Sequence, residues 1–173
     1  IWQRAKLTEI FLKSLERYCM DYGITAMVAG SEGRKTKDLC TLHGVGYIEV
    51  ANKPISGKFI RASQEAIVKY KATNLLILGS DDFIDDSLIK NYINLMPYDV
   101  VGIKDCYFYN TPSREGIHWH GYNNFREGEP IGMARMLSRK VYESLKGKIW
   151  PAGMNSGLDY TMMQRLAKVK DLK

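Results

Sequence analysis

The sequence predicts a mixed α/β domain built around a mainly parallel sheet. Segments in which apolar residues recur every three or four positions alternate with short runs that are apolar on both faces. Such runs are typical of strands in a parallel sheet, because helices cover both faces of that sheet. A chain of 173 residues also suits one hydrophobic core. We therefore expect a single domain over residues 1–173.

Helix and strand signals alternate through the first hundred residues. Leu7, Ile10, Phe11 and Leu15 recur at helical spacing, and Gly23 ends that pattern. Short apolar runs predict the strands, and glycine or proline follows the first two of them. The expected elements are a helix over 4–20, strands over 24–29 and 47–50, a helix over 57–70, a strand over 75–78, a helix from Asp85 and a strand over 100–103.

The sequence changes in character after Asp105. Aromatic residues, glycine and proline fill residues 107–132, which predicts irregular loops with a hairpin. Two short helices are expected after it, over 138–145 and 158–166. No internal repeat and no low-complexity linker divides the chain, so all of these elements are expected to share one domain.

The net charge of +6 leaves several classes of partner open. Excess positive charge permits binding to nucleic acid or a membrane surface, but it suits a phosphorylated small molecule equally well. Cys19, Cys40 and Cys106 lack zinc-site spacing, so reduced thiols and a cytoplasmic location are expected. No apolar run approaches the roughly 20 residues that cross a bilayer. We therefore expect no transmembrane segment, and any membrane association would be peripheral.

Four aspartates follow the strand expected over 75–78. Asp81 and Asp82 would lie at the carboxyl edge of the sheet, where ligands bind in open α/β folds. Two adjacent carboxylates are tolerable there if Mn²⁺ or Mg²⁺ lies between them and a diphosphate. Asp85 and Asp86 fall in the first turn of the next helix, where capping is the simpler role. Capping alone remains an alternative for the whole cluster.

The segment Gly79-Ser80-Asp81-Asp82 resembles the DxD motif of GT-A fold glycosyltransferases, particularly the family-two type. Gly79 stands where that family usually has its first aspartate. The resemblance implies a Rossmann-like, three-layer α/β/α fold with a mainly parallel sheet. It also implies a bound Mn²⁺ or Mg²⁺, held by Asp81 and supported by Asp82.

The resemblance extends over most of the chain. Three segments match the family pattern: Arg4 before the first helix, Ala29-Gly30-Ser31 at the end of the strand over 24–29, and Gly57-Lys58 at a helix start. The strand over 24–29 corresponds to the family's second strand. It implies a nucleotide-binding half over about 1–105 and an acceptor half over about 106–173. The family's first strand would lie upstream of residue 1, and the start at Ile1-Trp2-Gln3, without an initiator Met, leads us to expect a fragment.

The resemblance also implies a binding site for a nucleotide-diphosphate sugar. Small residues at the end of the strand over 24–29 would admit the nucleotide base, and Glu32 would accept a hydrogen bond from a ring NH of that base. Arg4 and Lys58 carry positive charge that suits a diphosphate, although each is alternatively an exposed basic residue near a helix start. The expected residues are Arg4, Ala29, Gly30, Ser31, Glu32, Lys58, Ser80 and Asp81.

Inverting transfer needs a carboxylate base that faces the acceptor hydroxyl. The family keeps this base at a helix start in its C-terminal part, and Asn155-Ser156-Gly157-Leu158-Asp159 resembles that element. Asp159 is therefore expected to be the catalytic base, with a helix N-cap as the alternative.

Aromatic residues between these sites predict an acceptor platform, because aromatic faces stack on the CH faces of pyranose rings. A loop with a packed Trp is the alternative. The expected acceptor residues are Tyr107, Tyr109, His118, Trp119, His120 and Asn155.

The sequence thus predicts a metal-dependent glycosyltransferase that moves a sugar, with UDP as the expected nucleotide, to a hydroxyl acceptor with inversion. Compact enzymes of this type occur in bacterial surface-polysaccharide pathways and in viruses, where the location would be the host cytoplasm. The segment 28–34 superficially copies the glycine-rich loop of sugar-phosphate nucleotidyltransferases, which is one alternative. A non-catalytic module that binds carbohydrate is another. No nucleic-acid partner is expected.

Overall fold

The computed structural model describes residues 4–173, and within that range the chain is a mixed α/β structure, as predicted. The helices are α1 Ala5–Tyr22, α2 Arg34–Leu42, α3 Ile55–Val68, α4 Asp86–Asn94, α5 Arg139–Ser144 and α6 Leu158–Leu166. The strands are β1 Met27–Gly30, β2 Gly46–Glu49, β3 Asn74–Ile77, β4 Val100–Val101, β5 Cys106–Asn110, β6 Glu115–Trp119 and β7 Arg135–Ser138.

The described strands form three small sheets. β1 and β2 pair in parallel, with Met27 opposite Gly46 and Gly30 opposite Glu49. β7 lies between β3 and β4 and runs antiparallel to both. β5 and β6 form an antiparallel hairpin of their own. Parallel pairing between neighbours is therefore confined to β1 and β2, and the mainly parallel sheet expected from sequence is present only in part.

β7 was not predicted, and a buried arginine explains why. Arg135 is fully buried at the start of the strand, so the charged residue obscures the apolar run that Met136 and Leu137 would otherwise form. Two of its guanidinium nitrogens donate to backbone carbonyl groups, Nη2 to Pro130 O over 2.5 Å and Nη1 to Asp159 O over 3.2 Å. A strand with a buried charge lacks the pattern by which strands are recognised.

The helix α2 was also missed in the sequence. Thr36 and Cys40 are its fully packed residues, and its remaining positions are mostly charged or polar. Because the buried face of α2 consists of a threonine and a cysteine, the segment shows little hydrophobic periodicity. The helix instead follows from its position, since it links the two parallel strands β1 and β2 in the manner of a βαβ unit.

The core lies on both faces of the sheet that contains β7. Met136 packs in a cluster with α1, α4 and β1, whereas Leu137 packs with α5, α6 and Trp150. Successive strand residues point to opposite faces, so the two clusters lie on opposite sides of this sheet. Phe59 and Ile60 of α3 belong to the second cluster. Helices α1 and α4 therefore cover one face, and α3, α5 and α6 cover the other.

A large groove separates β1 from β3. Both are edge strands of their sheets, and residues of both line the groove together with apolar side chains of α1 and α3. Its volume is about 1070 Å³. Arg4 and Asp81 lie at one end of this β1–β3 groove, where β3 gives way to the loop that leads to α4. The groove keeps the parallel pair apart from the three-stranded sheet.

Candidate functional site

The loop after β3 forms a tight turn at Gly79. The Asp82 N–H donates to Gly79 O over 3.2 Å, and the Gly79 N–H donates to Asp82 Oδ2 over 2.6 Å. A Cβ atom at residue 79 would lie 3.0 Å from Asp82 Oδ2 and 3.3 Å from Asp81 Oδ1. Glycine at residue 79 therefore leaves room for both carboxylates.

The two carboxylates of this turn have different environments. Asp82 folds back onto its own turn, and burial raises its pKa, aided by the nearby Asp81 and opposed by the Gly79 N–H bond. Asp81 is about half exposed and accepts a hydrogen bond from Arg4 Nη1 over 2.5 Å. Asp81 is thus the more accessible of the two expected metal ligands, and Asp82 mainly holds the turn.

The residues around Asp81 suit a cation whose other ligands come from a substrate. No cluster of three or more His, Cys, Asp or Glu side chains that would hold a metal occurs within residues 4–173. Mg²⁺ and Mn²⁺ are often held by one or two carboxylates, water and phosphate oxygens, so such a cluster is not required. The donor set at Asp81 and Asp82 is compatible with that kind of site.

Asp85 and Asp86 have separate structural roles. Asp85 is the N-cap of α4, where its Oδ1 accepts from the Leu88 N–H over 2.7 Å and from Ser87 Oγ over 2.9 Å. These bonds, the Leu88 one first, lower the pKa of Asp85. Asp86 pairs with Arg17 of α1 over 3.0 Å. Asp85 and Asp86 therefore start α4, as predicted.

A polar cluster lies at the carboxyl end of β1. Lys58 Nζ donates to Ser31 Oγ over 3.0 Å and to Asn52 Oδ1 over 2.8 Å. Burial lowers the pKa of Lys58. Glu32 accepts a hydrogen bond from Thr36 Oγ1 over 3.3 Å. Lys58 is therefore not the freely exposed basic residue of the alternative interpretation.

Glycine at position 30 is required by packing. A Cβ atom there would lie 2.6 Å from a ring carbon of Tyr47 on the neighbouring strand. The Tyr47 hydroxyl in turn donates to Glu49, and burial together with Glu49 raises the pKa of Tyr47. The space left by Gly30 at the end of β1 is occupied by the Tyr47 ring in this structure, whereas the sequence predicted that it would admit a nucleotide base.

The β1–β3 groove brings most of the expected nucleotide-site residues together. Arg4, Ala29, Lys58, Ser80 and Asp81 all line it, and Gly30, Ser31 and Glu32 follow Ala29 directly in the chain. The basic groups thus lie in the same cavity as the exposed carboxylate. A groove lined by positive charge and a half-exposed carboxylate carries groups that suit a metal-bound diphosphate.

Asp159 lies in the first turn of α6 but does not cap it. The N-cap is Gly157, which adopts the left-handed conformation with a φ of 67°. The Asp159 carboxylate instead accepts from Tyr122 Oη over 2.5 Å and from Arg126 Nη1 over 2.8 Å, both at Oδ2. Burial by itself would raise the pKa of Asp159, but the bonds from Tyr122 and Arg126 outweigh it and lower the pKa. The capping alternative is therefore wrong.

Arg126 is the central partner of Asp159, and the sequence did not reveal it. Its side chain is 9% exposed, and its Nε donates to Glu129 Oε2 over 2.7 Å. The guanidinium lies 3.8 Å from the Tyr122 ring centre and 5.4 Å from that of Tyr160. Within residues 4–173, its Nη2 is buried without a hydrogen-bond partner. A charge held this firmly fixes the position and ionisation of Asp159.

Close packing brings Asp159 to a second, smaller cavity. A Cβ atom at Gly132 would lie 2.7 Å from the Asp159 Cβ, so glycine there allows α6 to approach. The cavity has a volume of about 320 Å³ and is lined by Asp159, Gly132 and Trp150 among others. Phe59 and Ile77 line both this cavity and the β1–β3 groove. Asp159 and the Asp81 turn therefore flank the same end of β3.

The expected acceptor residues fall into three places. Tyr107 and His118 stack across the β5–β6 hairpin, with ring centres 4.5 Å apart, and His120 lies 4.1 Å from His118. Trp119 contacts Tyr122 edge-on at 5.2 Å, which connects it to Asp159. Tyr109 is exposed on the hairpin. Asn155 Oδ1 accepts from the Ile55 N–H over 3.1 Å and so helps to start α3.

Comparisons of this chain with protein-family models, with curated proteins and with solved structures found no match. Within residues 4–173, no helix combines the length and the apolar character that crossing a bilayer requires.

Proposed function

We propose that this protein is a glycosyltransferase that moves a sugar from a nucleotide-diphosphate sugar, with UDP as the preferred nucleotide, to a hydroxyl acceptor. The supporting observation is the shared lining of the β1–β3 groove by Arg4, Lys58 and Asp81. One exposed carboxylate among two cationic side chains suits a diphosphate with a divalent cation better than it suits a neutral ligand.

The Arg4–Asp81 pair can open when the donor binds. Both side chains are 53% exposed, and exposed ion pairs stabilise a fold by only about 0–1 kcal/mol. Asp81 would then hold Mn²⁺ or Mg²⁺, and Arg4 would move onto a phosphate oxygen. A divalent cation there would supply charge neutralisation for the leaving diphosphate. Lys58 adds a further positive charge on the nucleotide side of the groove.

Asp159 acts as the base in this proposal. Its lowered pKa keeps the carboxylate ionised at neutral pH, and its cavity shares walls with the donor groove. As the acceptor oxygen attacks the anomeric carbon, Asp159 takes the hydroxyl proton and the bond from that carbon to the diphosphate breaks. Attack on the face opposite the leaving diphosphate gives inversion.

The donor site is tested by the melting temperature of the protein with UDP, with and without MnCl₂. Ligand that binds only the folded state at 100 times its Kd stabilises by about 2.7 kcal/mol. We expect UDP and Mn²⁺ together to raise the melting temperature, and we expect Asp81→Asn to remove that rise. Asp85→Asn is the matched control, because it removes a nearby charge while asparagine still caps α4.

The same titration distinguishes the competing functions. An undiminished Mn²⁺-dependent shift in Asp81→Asn would refute the metal assignment. Stabilisation by UTP in preference to UDP would indicate a nucleotidyltransferase, and indifference to both nucleotides would indicate a binding module.

We also propose the three-layer architecture of the GT-A fold, completed by a strand in the β1–β3 groove. Helix α1 covers one face of the groove and α3 the other, and edge strands bound it on both sides. A strand placed there would join the sheets in the order β2, β1, inserted strand, β3, β7, β4. Because Arg4 is the N-cap of α1 and pairs with Asp81, a strand that leads into α1 would end at this edge.

Amide hydrogen exchange tests the inserted strand. We expect a form of the chain that is extended before Ile1 by a strand-forming segment to exchange more slowly at Met27 and Leu76 than the form that starts at Ile1. New backbone hydrogen bonds to both groove edges are the reason. Exchange at Leu137, already enclosed between β3 and β4, serves as the internal control. Equal exchange at Met27 and Leu76 in the two forms would refute the inserted strand.

A further inference from the structure

The β5–β6 hairpin exposes an unusual amount of aromatic surface. Tyr107 is 74% exposed, Phe108 59%, Tyr109 63% and Ile117 66%. Within the described part of the chain, β5 and β6 pair only with each other. A two-stranded hairpin is marginally stable in water, and clustered exposed apolar groups typically mark a binding surface. The hairpin is therefore better explained by a ligand than by packing.

Register divides the hairpin into two faces of different chemistry. Phe108 lies opposite Ile117 and Cys106 opposite Trp119, so Phe108, Ile117 and Trp119 share one face. We call this the Trp119 face. The other face carries Tyr107, Tyr109 and His118.

The Trp119 face is continuous with the Asp159 site. The rings of Phe108 and Trp119 are 5.9 Å apart, and those of Trp119 and Tyr122 are 5.2 Å apart. The Tyr122 hydroxyl in turn donates a hydrogen bond to the Asp159 carboxylate. An unbroken row of aromatic side chains thus runs from the exposed hairpin to the proposed base.

Charge around the hairpin favours an uncharged ligand. Lys104 is followed by Asp105 at its base, and Arg114 is followed by Glu115 at its tip, so the charges balance. A nucleic acid or an anionic membrane would call for an excess of Lys and Arg. Aromatic faces suit the apolar CH faces of sugars, and polar side chains beside them suit the hydroxyl groups.

We propose that the Trp119 face binds an uncharged oligosaccharide, which is the acceptor, with its reacting hydroxyl end at Asp159 and the rest of the chain along Phe108. The choice of a glycan rests on the proposed transferase function. The surface extends the acceptor site to Phe108 and Ile117, well beyond the loop that carries Trp119.

The test uses three neutral probes, cellohexaose, maltohexaose and N-acetylchitohexaose, without nucleotide or metal. We expect at least one to bind in calorimetric titration, and we expect Phe108→Ala to weaken its binding about tenfold through loss of one stacking ring. Tyr98→Ala is the matched control, since Tyr98 is a 43% exposed aromatic residue outside the hairpin. Substitution of the exposed Phe108 leaves the core intact, which melting temperature verifies.

Three results would overturn the proposal: no binding of any hexasaccharide, equal binding by Phe108→Ala, or a dimer in sedimentation that Phe108→Ala dissociates. The last result would assign the face to a second copy of the chain. Hexasaccharide binding without any UDP and Mn²⁺ stabilisation would refute the transferase and leave a glycan-binding surface. UDP and Mn²⁺ stabilisation without hexasaccharide binding would refute the Trp119 face alone.

Discussion

Asp159→Asn is expected to lower the rate of sugar transfer by about 10²–10⁴-fold, the usual range for a general base. Asparagine keeps an oxygen that can accept from Tyr122 and Arg126, but it cannot take a proton from the acceptor. Binding of UDP with Mn²⁺ should be unchanged, because the donor groove does not include Asp159. Single-turnover rates and thermal shifts measure the two effects separately.

Glu129→Gln is the matched control for this substitution. Glu129 is the other carboxylate that pairs with Arg126, and its side chain is 29% exposed against 31% for Asp159. Both variants remove one negative partner from the same buried guanidinium, so they should lose similar stability. Transfer at the normal rate by Asp159→Asn, or equal losses in the two variants, would argue against a base at Asp159. A product with retained stereochemistry would also remove that role.

The elements predicted correctly are those whose burial pattern is simple. α1 and α6 present regular apolar faces, and β3 is flanked by helices on both sides, so periodicity and apolar runs identify them. β7 was not predicted because it begins with the fully buried Arg135, whose guanidinium donates to the backbone carbonyl groups of Pro130 and Asp159. The antiparallel position of β7 could not be predicted, since it depends on a return of the chain through residues 107–132.

The candidate site divides in a similar way. Asp81 and Asp159 could be found in the sequence because each stands at a strand end or helix start, where local chemistry is recognisable. Tyr122 and Arg126 could not, because 37 and 33 residues separate them from Asp159 and no local pattern links them. Asn155 was expected in the acceptor site, but its hydrogen bond to the Ile55 N–H shows a structural role at the start of α3.

Arg126→Met is expected to give the transfer rate a new dependence on acidic pH. Asp159 must be ionised to act as a base, so the rate falls as pH drops through its pKa. In the unmodified protein this pKa is lowered below the usual 3.8, and the rate should not vary with Asp159 ionisation between pH 5 and 8. Without Arg126, burial is opposed mainly by Tyr122, and the pKa of Asp159 rises.

The Arg126→Met profile should therefore begin to lose rate at a higher pH than that of the unmodified protein, whereas Arg126→Lys, which keeps the positive charge, should be displaced less. Loss of a buried ion-pair partner also lowers the free energy of unfolding, by about 1–3 kcal/mol. The loss of stability lowers the rate at every pH in proportion to the folded fraction. A melting curve at each pH measures that fraction, and the rates are corrected for it. Carbon NMR of the Asp159 carboxyl reports its titration directly. An Asp159 carboxyl whose pKa stays below its usual value in Arg126→Met would show that Tyr122 and the Tyr160 backbone N–H keep Asp159 ionised without Arg126.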